Sequence, residues 1–207
     1  MNLTKLFLMQ SDFDNRVLTT KGLTREETFE FRILAFLDEL GECMKEWRVF
    51  KFWSNNRNPI TKSPIECSVC CGSGDMNFES ITDDAYSNTK HEYIQCSECE
   101  GHGHLGYKNP LLEEYVDGLH FAISLCIDLE VTMEFPASIK CSDATEQYFE
   151  LYSLAVELKK DPMQDKADYL LAHYLGLGEL LGFTLEEIEK AYIEKNDVNH
   201  QRQDNGY

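Results

Sequence analysis

Apolar residues recur at three- and four-residue intervals along both ends of this chain, a spacing that buries one face of an α-helix and does not suit a strand. Leu3, Leu6, Phe7, Phe13 and Val17 mark a first helix, and Phe29, Ile33, Phe36, Leu37, Leu40, Met44 and Trp47 a second. Asn109 before Pro110 reads as a helix start, with Asn as cap and Pro in the first turn. The third helix then buries Leu112, Tyr115, Val116, Leu119, Ile123, Cys126 and Ile127. Further helices are expected over about 143–159 and 166–182. Thr184 with Glu187 forms a capping box, and Phe183 with Ile188 a hydrophobic staple, opening a last helix toward Gln203. No alternating strand pattern appears outside residues 58–107, a stretch rich in Gly, Ser, Asn, Asp and Cys. The expected fold is all-α: a helical bundle built from 1–57 and 108–207, with a small module inserted at 58–107.

Charge narrows the function. With 19 Lys and Arg against 37 Asp and Glu, the net charge is −18. Neither a nucleic-acid grip nor an anionic-membrane anchor fits that balance, because both need clustered positive charge. An acidic protein can still handle anions if it borrows positive charge from bound metal. No apolar run approaches the roughly 20 residues of a membrane span. The opening MNLTKLFLMQ carries polar residues where a signal peptide needs an apolar core, so a cytoplasmic location is expected. Cys43, Cys126 and Cys141 stand alone within helical patterns and read as buried, inert thiols. Gly176, Gly178 and Gly182 miss the dinucleotide fingerprint, since position 181 is Leu, and read as sites of close helix packing.

The inserted module has its own chemistry. Cys67-Ser-Val-Cys70 and Cys96-Ser-Glu-Cys99 are two C-x-x-C knuckles, each followed by glycines in C-C-G-S-G and C-E-G-H-G. They resemble the C-x-x-C-x-G-x-G units of J-domain chaperones. Four thiolates in tetrahedral array make a closed structural Zn²⁺ site. A redox motif would need one C-x-x-C, not two. Cys71, His102 and His104 are read as bystanders. From Lys62 to Lys108 there are three Lys against eight acids, which disfavours a nucleic-acid-reading finger.

Acidic pairs carry the catalytic reading. Glu39, Glu42 and Glu46 project within about a 60° arc of the second helix, at the edge of its apolar stripe, with small Ala35 on the same arc. Like charges so placed repel on a lone helix, and a cation between them removes the conflict. Glu114 and Asp117 repeat the arrangement on the third helix. Facing each other, E-x-x-E and E-x-x-D would cage a hard divalent cation such as Mg²⁺. A single acidic pair is usually a solvated face; two pairs at core edges are harder to dismiss.

Here the sequence resembles a family. Glu39-Leu-Gly-Glu42 followed by Glu114-Tyr-Val-Asp117 is similar to the signature of all-α nucleoside triphosphate pyrophosphatases, and within them to the dimeric dUTP diphosphatases. Gly41-Glu42, Glu46-Trp47-Arg48, Phe50-Lys51-Phe52-Trp53, the run from Asn109 to Phe121, and the tail Lys195-Asn196…Asn199-His200-Gln201-Arg202-Gln203…Gly206-Tyr207 carry the resemblance. It covers both helical parts and not the insert. It implies Mg²⁺-dependent hydrolysis of dUTP to dUMP and pyrophosphate, dUDP as a further candidate substrate, and a homodimer. It also implies that Glu42 is the base that activates water, with Glu39, Glu114 and Asp117 as its catalytic companions.

Other residues take candidate roles beside these. Gln10 lies in the apolar stripe of the first helix, where an amide needs partners. It either bonds a neighbouring helix or, as the resemblance implies, reads a uracil edge. Trp47 sits on a core stripe; the resemblance makes it, Phe52 or Trp53 a stacking platform for the base. Phe121 follows Asp117 by four residues on the carboxylate face, where packing against the sugar would exclude a 2′-hydroxyl. His120 is either a supporting partner or surface. Tyr192, Lys195, Asn199 and Arg202 form one polar stripe, either a solvated face or a triphosphate grip that Lys51 and Tyr207 extend. Two rival functions stand beside dUTP hydrolysis: a sister pyrophosphatase acting on dCTP, and a non-catalytic protein whose zinc module recruits a partner.

Overall fold

In the computed structural model, residues 1–78, 91–131 and 137–206 are described. The chain divides into two compact units, 1–59 with 111–207 and 60–110. Six helices appear among the described residues, all belonging to the first unit save one turn end at Pro110.

Helix α1 (Leu3–Lys21) starts where the Asn2 side chain accepts the Lys5 N–H at 3.1 Å, and it ends at Gly22, whose φ of 66° is a left-handed cap. Helix α2 (Arg25–Trp47) opens on a reciprocal capping box between Thr24 and Glu27. Helix α3 (Pro110–Asp128) begins at the proline, as a missing N–H costs nothing in a first turn. Helix α4 (Ala144–Lys160) is capped by Asp143, which accepts from the Thr145 and Glu146 N–H groups. Helix α5 (Gln164–Leu180) follows, and α6 (Leu185–Asp204) opens on the Thr184–Glu187 box. Pairs α1 with α6, α2 with α4, and α4 with α5 pack together. Among the described residues, no helix is long and apolar enough to cross a membrane.

The core gathers Phe36, Leu40, Leu111, Tyr115, Leu119, Leu151, Leu158, Leu170 and Tyr174, all essentially inaccessible. Two helices depart from the pattern. On α1 the buried positions are Leu6, Phe7, Gln10, Asp14 and Leu18, while Phe13 and Val17 lie off this stripe and line a cleft. On α6 only Ile188, Tyr192 and Asn196 are buried. A cleft lined by residues of these two helices and of α2 and α3 is where the site forms.

The glycines behave as packing points. A Cβ on Gly176 would sit 1.9 Å from the Ile139 carbonyl oxygen, and one on Gly178 would sit 2.5 Å from the Tyr115 hydroxyl. Cys43 and Cys126 are buried in helices as expected. Cys141 is not: it lies half-buried in the segment before α4, because Asp143 caps the helix two residues later.

In the second unit, β1 (Ser63–Glu66) pairs antiparallel with β2 (His104–Lys108), with Ser63 opposite Lys108 and a register irregularity between Pro64 and Glu66. The sheet brings the two knuckles to one place. Gly74 and Gly103 have φ near 76°, and a Cβ on either would meet a backbone oxygen of the other knuckle at 2.2–2.3 Å. Only glycine fits such an approach.

Candidate active site and metal centres

Helices α2 and α3 place Glu39, Glu114 and Asp117 together, each half-buried, with one oxygen of each within 4.8 Å of the others. A hard divalent cation needs such a set of carboxylate oxygens. Burial is the main force raising Glu39 from its ordinary 4.5 to about 7, and Asp117 and Glu114 add to it. Glu114 rises to about 7 for the same reason, with Asp117 and Glu42 adding. Burial also raises Asp117, opposed by Lys195 of α6, whose Nζ lies 2.5 Å from Oδ2. The donor set therefore fits a cation: in its absence the acids resist ionising together.

Glu42 stands beside this cluster, close enough to act on Glu114, with its carboxylate bonded to Lys45 and 42% exposed. Glu46 lies one turn further on, half-buried. The face-to-face arrangement is thus asymmetric. One α2 acid joins the two α3 acids, and the other remains open to solvent.

A cleft of about 430 Å³ runs past the cluster, walled by α1, α2, α3 and α6. Glu39, Asp117 and Lys195 lie along it, with Phe121, Asn199 and Arg202 on the same walls. Ala35 opens room beside Glu39, and Phe31, 67% exposed, stands at the margin. At its buried end lies a polar network centred on Gln10. The Gln10 amide donates to Asp14 Oδ1 at 2.9 Å and to Ser124 Oγ at 3.0 Å. Its oxygen accepts from the Tyr192 hydroxyl at 2.8 Å and lies 2.7 Å from His120 Nδ1, so that nitrogen carries the proton. His120 stacks on Tyr192 with ring centroids 3.8 Å apart. Burial, aided by the Lys195 charge, lowers its pKa to about 3, and the ring is neutral. All four hydrogen-bonding positions of the Gln10 amide are engaged; reading a uracil edge requires one partner to be exchanged for the base.

Several expected site residues lie elsewhere. Trp47 is buried in the core and packs on Tyr148 at 5.3 Å. Trp53 and Phe52, 66% and 79% exposed, meet edge to face after α2, and Trp53 meets Phe50 in the same way. Lys51 donates to the Lys45 carbonyl at 3.1 Å. None of these lines the cleft as described. Tyr207 lies outside the described residues.

Sequence reasoning overlooked Asp14, Ser124, Arg25, Arg32 and Asp128. Arg25 and Arg32 bind opposite oxygens of Asp128, at 2.7 and 2.9 Å, and Arg25 lies 3.6 Å from Asp14. A signal existed: Asp14 is four residues after Gln10, and Arg32 is seven before Glu39, so each shares a helix face with a residue already singled out.

In the second unit, the sulfurs of Cys67, Cys70, Cys96 and Cys99 all lie within 4.8 Å of one another, and all four residues are buried. Cys67 and Cys96 are 3.9 Å apart, Cys70 and Cys99 3.6 Å. The edge of a tetrahedron with Zn–S bonds of about 2.3 Å is about 3.8 Å, so the set fits zinc. Gly74 N–H points at Cys70 Sγ and Gly103 N–H at Cys99 Sγ, both at 3.2 Å. Burial opposes ionising Cys70, but the Gly74 N–H and the three neighbouring sulfurs outweigh it and bring the thiol to about 7. Burial and the same neighbouring sulfurs push Cys99 the other way, to about 11, so Cys70 is the thiol that ionises first.

Comparison with curated proteins and with solved structures returned no match. A family model described as dUTPase matches residues 2–68 and 105–207, most of the chain, leaving out the middle of the Cys-rich insert. Since the matched segments hold the acid cluster and every wall of the cleft, the chain belongs to the dUTPase family and hydrolyses dUTP as a dUTP diphosphatase.

Proposed function

We propose that hydrolysis of dUTP to dUMP and pyrophosphate here depends on Mg²⁺ held by Glu39, Glu114 and Asp117, with Glu42 at its edge. The observation that carries this is the meeting of three half-buried carboxylates from two helices, two of which, Glu39 and Asp117, line one cleft. These carboxylates would hold the ion, which would supply positive charge against the charge developing on the phosphates. Glu42 takes a proton from the attacking water; its carboxylate, 42% exposed and outside the tight cluster, supports that role. Lys195, Asn199 and Arg202, which line the cleft, hold the phosphates; Lys51 joins them only if the segment after α2 closes, and Tyr207 is given the same role on the family resemblance alone. Phe121 packs on the deoxyribose and rejects a 2′-hydroxyl. The base enters the buried end, where Gln10, His120 and Tyr192 sort it by hydrogen bonding, while Phe52 or Trp53 covers it if the segment after α2 closes; Trp47, packed on Tyr148, stays in the core.

On the same reading, residues 1–57 and 108–207 are the catalytic domain and 58–107 a Zn²⁺-stabilised module. The enzyme is a homodimer in the cytoplasm, where it keeps uracil out of DNA and supplies dUMP. It has no nucleic-acid or membrane partner, consistent with its net charge of −18. The test is pyrophosphate release from dUTP, dCTP, dTTP and UTP, and phosphate release from dUDP, with Mg²⁺ and after chelation. Strong preference for dUTP, abolished by chelation, is expected; preference for dCTP or activity without metal would refute the assignment.

A further inference from the structure

Lys195 and Asp117 make a short contact of 2.5 Å in a half-closed place, with their side chains 15% and 16% exposed. The Lys195 charge also bears on Glu39 and Glu114, so one ammonium serves the whole acid cluster. An oxygen that holds an ammonium this closely is not free for a divalent cation, and two positive groups at one oxygen repel. Resting on the assignment of Glu39, Glu114 and Asp117 as the cage, we propose that Lys195 is a built-in counter-ion. It competes with the divalent cation for Asp117 and is released toward the triphosphate when nucleotide enters.

The position of Lys195 supports such a transfer. Its ammonium is a point charge on a flexible four-carbon stem, and no fixed fork geometry ties it to one partner. Asn199 and Arg202, four and seven residues on along α6, line the same cleft, so a polar path leads from Asp117 along that helix face. Glu113 and Arg202 also act on Asp117, one opposing and one aiding its ionisation. Removing Lys195 to the phosphates frees an Asp117 oxygen for metal at the moment a metal-binding triphosphate arrives. Cation and nucleotide then assist each other by the same factor, as linkage requires.

The test measures Mn²⁺ binding by electron paramagnetic resonance on the full chain, with and without a dUTP analogue carrying an imido group between the α- and β-phosphates. Without nucleotide, Lys195→Met and Lys195→Gln are expected to bind Mn²⁺ about five- to tenfold more tightly than the unaltered protein. Lys195→Arg, which keeps the charge, should stay near the unaltered value. The tightening of Mn²⁺ by the analogue should shrink in the Met and Gln variants. Equal or weaker Mn²⁺ binding in both neutral variants, with helix content intact by circular dichroism, would overturn the proposal and leave the cage standing. Unimpaired Mn²⁺ binding in Glu39→Gln would overturn the cage itself, and the proposal with it.

Discussion

Tyr115 and Tyr174 each donate a hydroxyl hydrogen bond to the other's main-chain carbonyl, at 3.2 and 2.7 Å. Their rings lie nearly parallel, 16° apart, with centroids 4.9 Å from each other. This reciprocal clasp locks α3 against α5. Tyr115 directly follows Glu114, and Gly118 directly follows Asp117, so the clasp sets the height at which both acids meet Glu39.

The glycine beside the clasp is a sharp test of it. A Cβ at Gly118 would lie 2.1 Å from the Tyr174 hydroxyl and 2.9 Å from the ring carbon bearing it. Gly118→Ala should therefore destabilise the fold by about 1–3 kcal/mol through overpacking, lowering the midpoint of thermal unfolding. Tyr174→Phe removes one hydroxyl and should cost about 0.5–1.5 kcal/mol. If α3 is positioned by the clasp, Gly118→Ala also weakens Mg²⁺ activation, read as a higher metal concentration at half-maximal rate. An unchanged melting curve in Gly118→Ala would show that the helices slide freely.

Glu39 and Glu42 should separate under mutation, although the E-x-x-E pattern treats them alike. Glu39 sits within the cluster, whereas Glu42 lies at its margin. Glu39→Gln is expected to lose both metal binding and turnover. Glu42→Gln should keep measurable metal binding while turnover falls by about 10²–10⁴-fold, the usual range for a lost general base. Calorimetric Mg²⁺ titration beside steady-state kinetics decides it; normal turnover in Glu42→Gln would remove the base assignment.

Acid behaviour of the metal-free protein follows from the raised carboxylates. Glu39 and Glu114 move from 4.5 to about 7 on folding, so the folded chain holds protons that the unfolded chain releases. Between pH 4.5 and 7 the folded state binds more protons, and stability falls as pH rises through that window. Below it the favourable contribution is fully present, and above it the contribution is gone. Urea unfolding in chelator at pH 5 and pH 8 should show this, and Glu39→Gln should flatten the slope. Added Mg²⁺ should reverse the trend, because ligation needs ionised carboxylates. A metal-free protein more stable at pH 8 than at pH 5, with an unaltered slope in Glu39→Gln, would contradict the shifts.

Zinc removal should act locally. Cys67, Cys70, Cys96 and Cys99 lie in a unit compact in itself, and the helices belong to the other. Elemental analysis of untreated protein should give one Zn²⁺ per chain, and Cys96→Ser should abolish it. Far-ultraviolet circular dichroism of that variant should retain its helical signal, while proteolysis within 60–110 accelerates. Protein isolated without zinc, or loss of helix in Cys96→Ser, would count against a separate structural site.

What the sequence by itself determined is whatever depends on neighbours along the chain. Three-and-four spacing placed the helices, and Asn109-Pro110 and the Thr184–Glu187 box marked the starts of α3 and α6; the Thr24 and Asp143 caps became evident only in the structure. Two Cys pairs with trailing glycines were enough to read the sulfur cluster, because a C-x-x-C knuckle is a local turn whose N–H groups already face sulfur. The acidic pairs were visible for the same reason, since residues three apart share a helix face. Tertiary structure decided what depends on distance between helices. It joined Glu39 to Glu114 and Asp117 while leaving Glu42 outside, since α2 meets α3 along one line and only one α2 acid falls on it. It turned Gln10 from an isolated amide into the hub of Asp14, Ser124, His120 and Tyr192, partners up to 182 positions away. It sent Trp47 into the core and left Trp53 outside it, because the left-handed Arg48 ends α2 between them. Lys195 has many acids within reach of a flexible stem, and only the approach of α6 to α3 selects Asp117 among them.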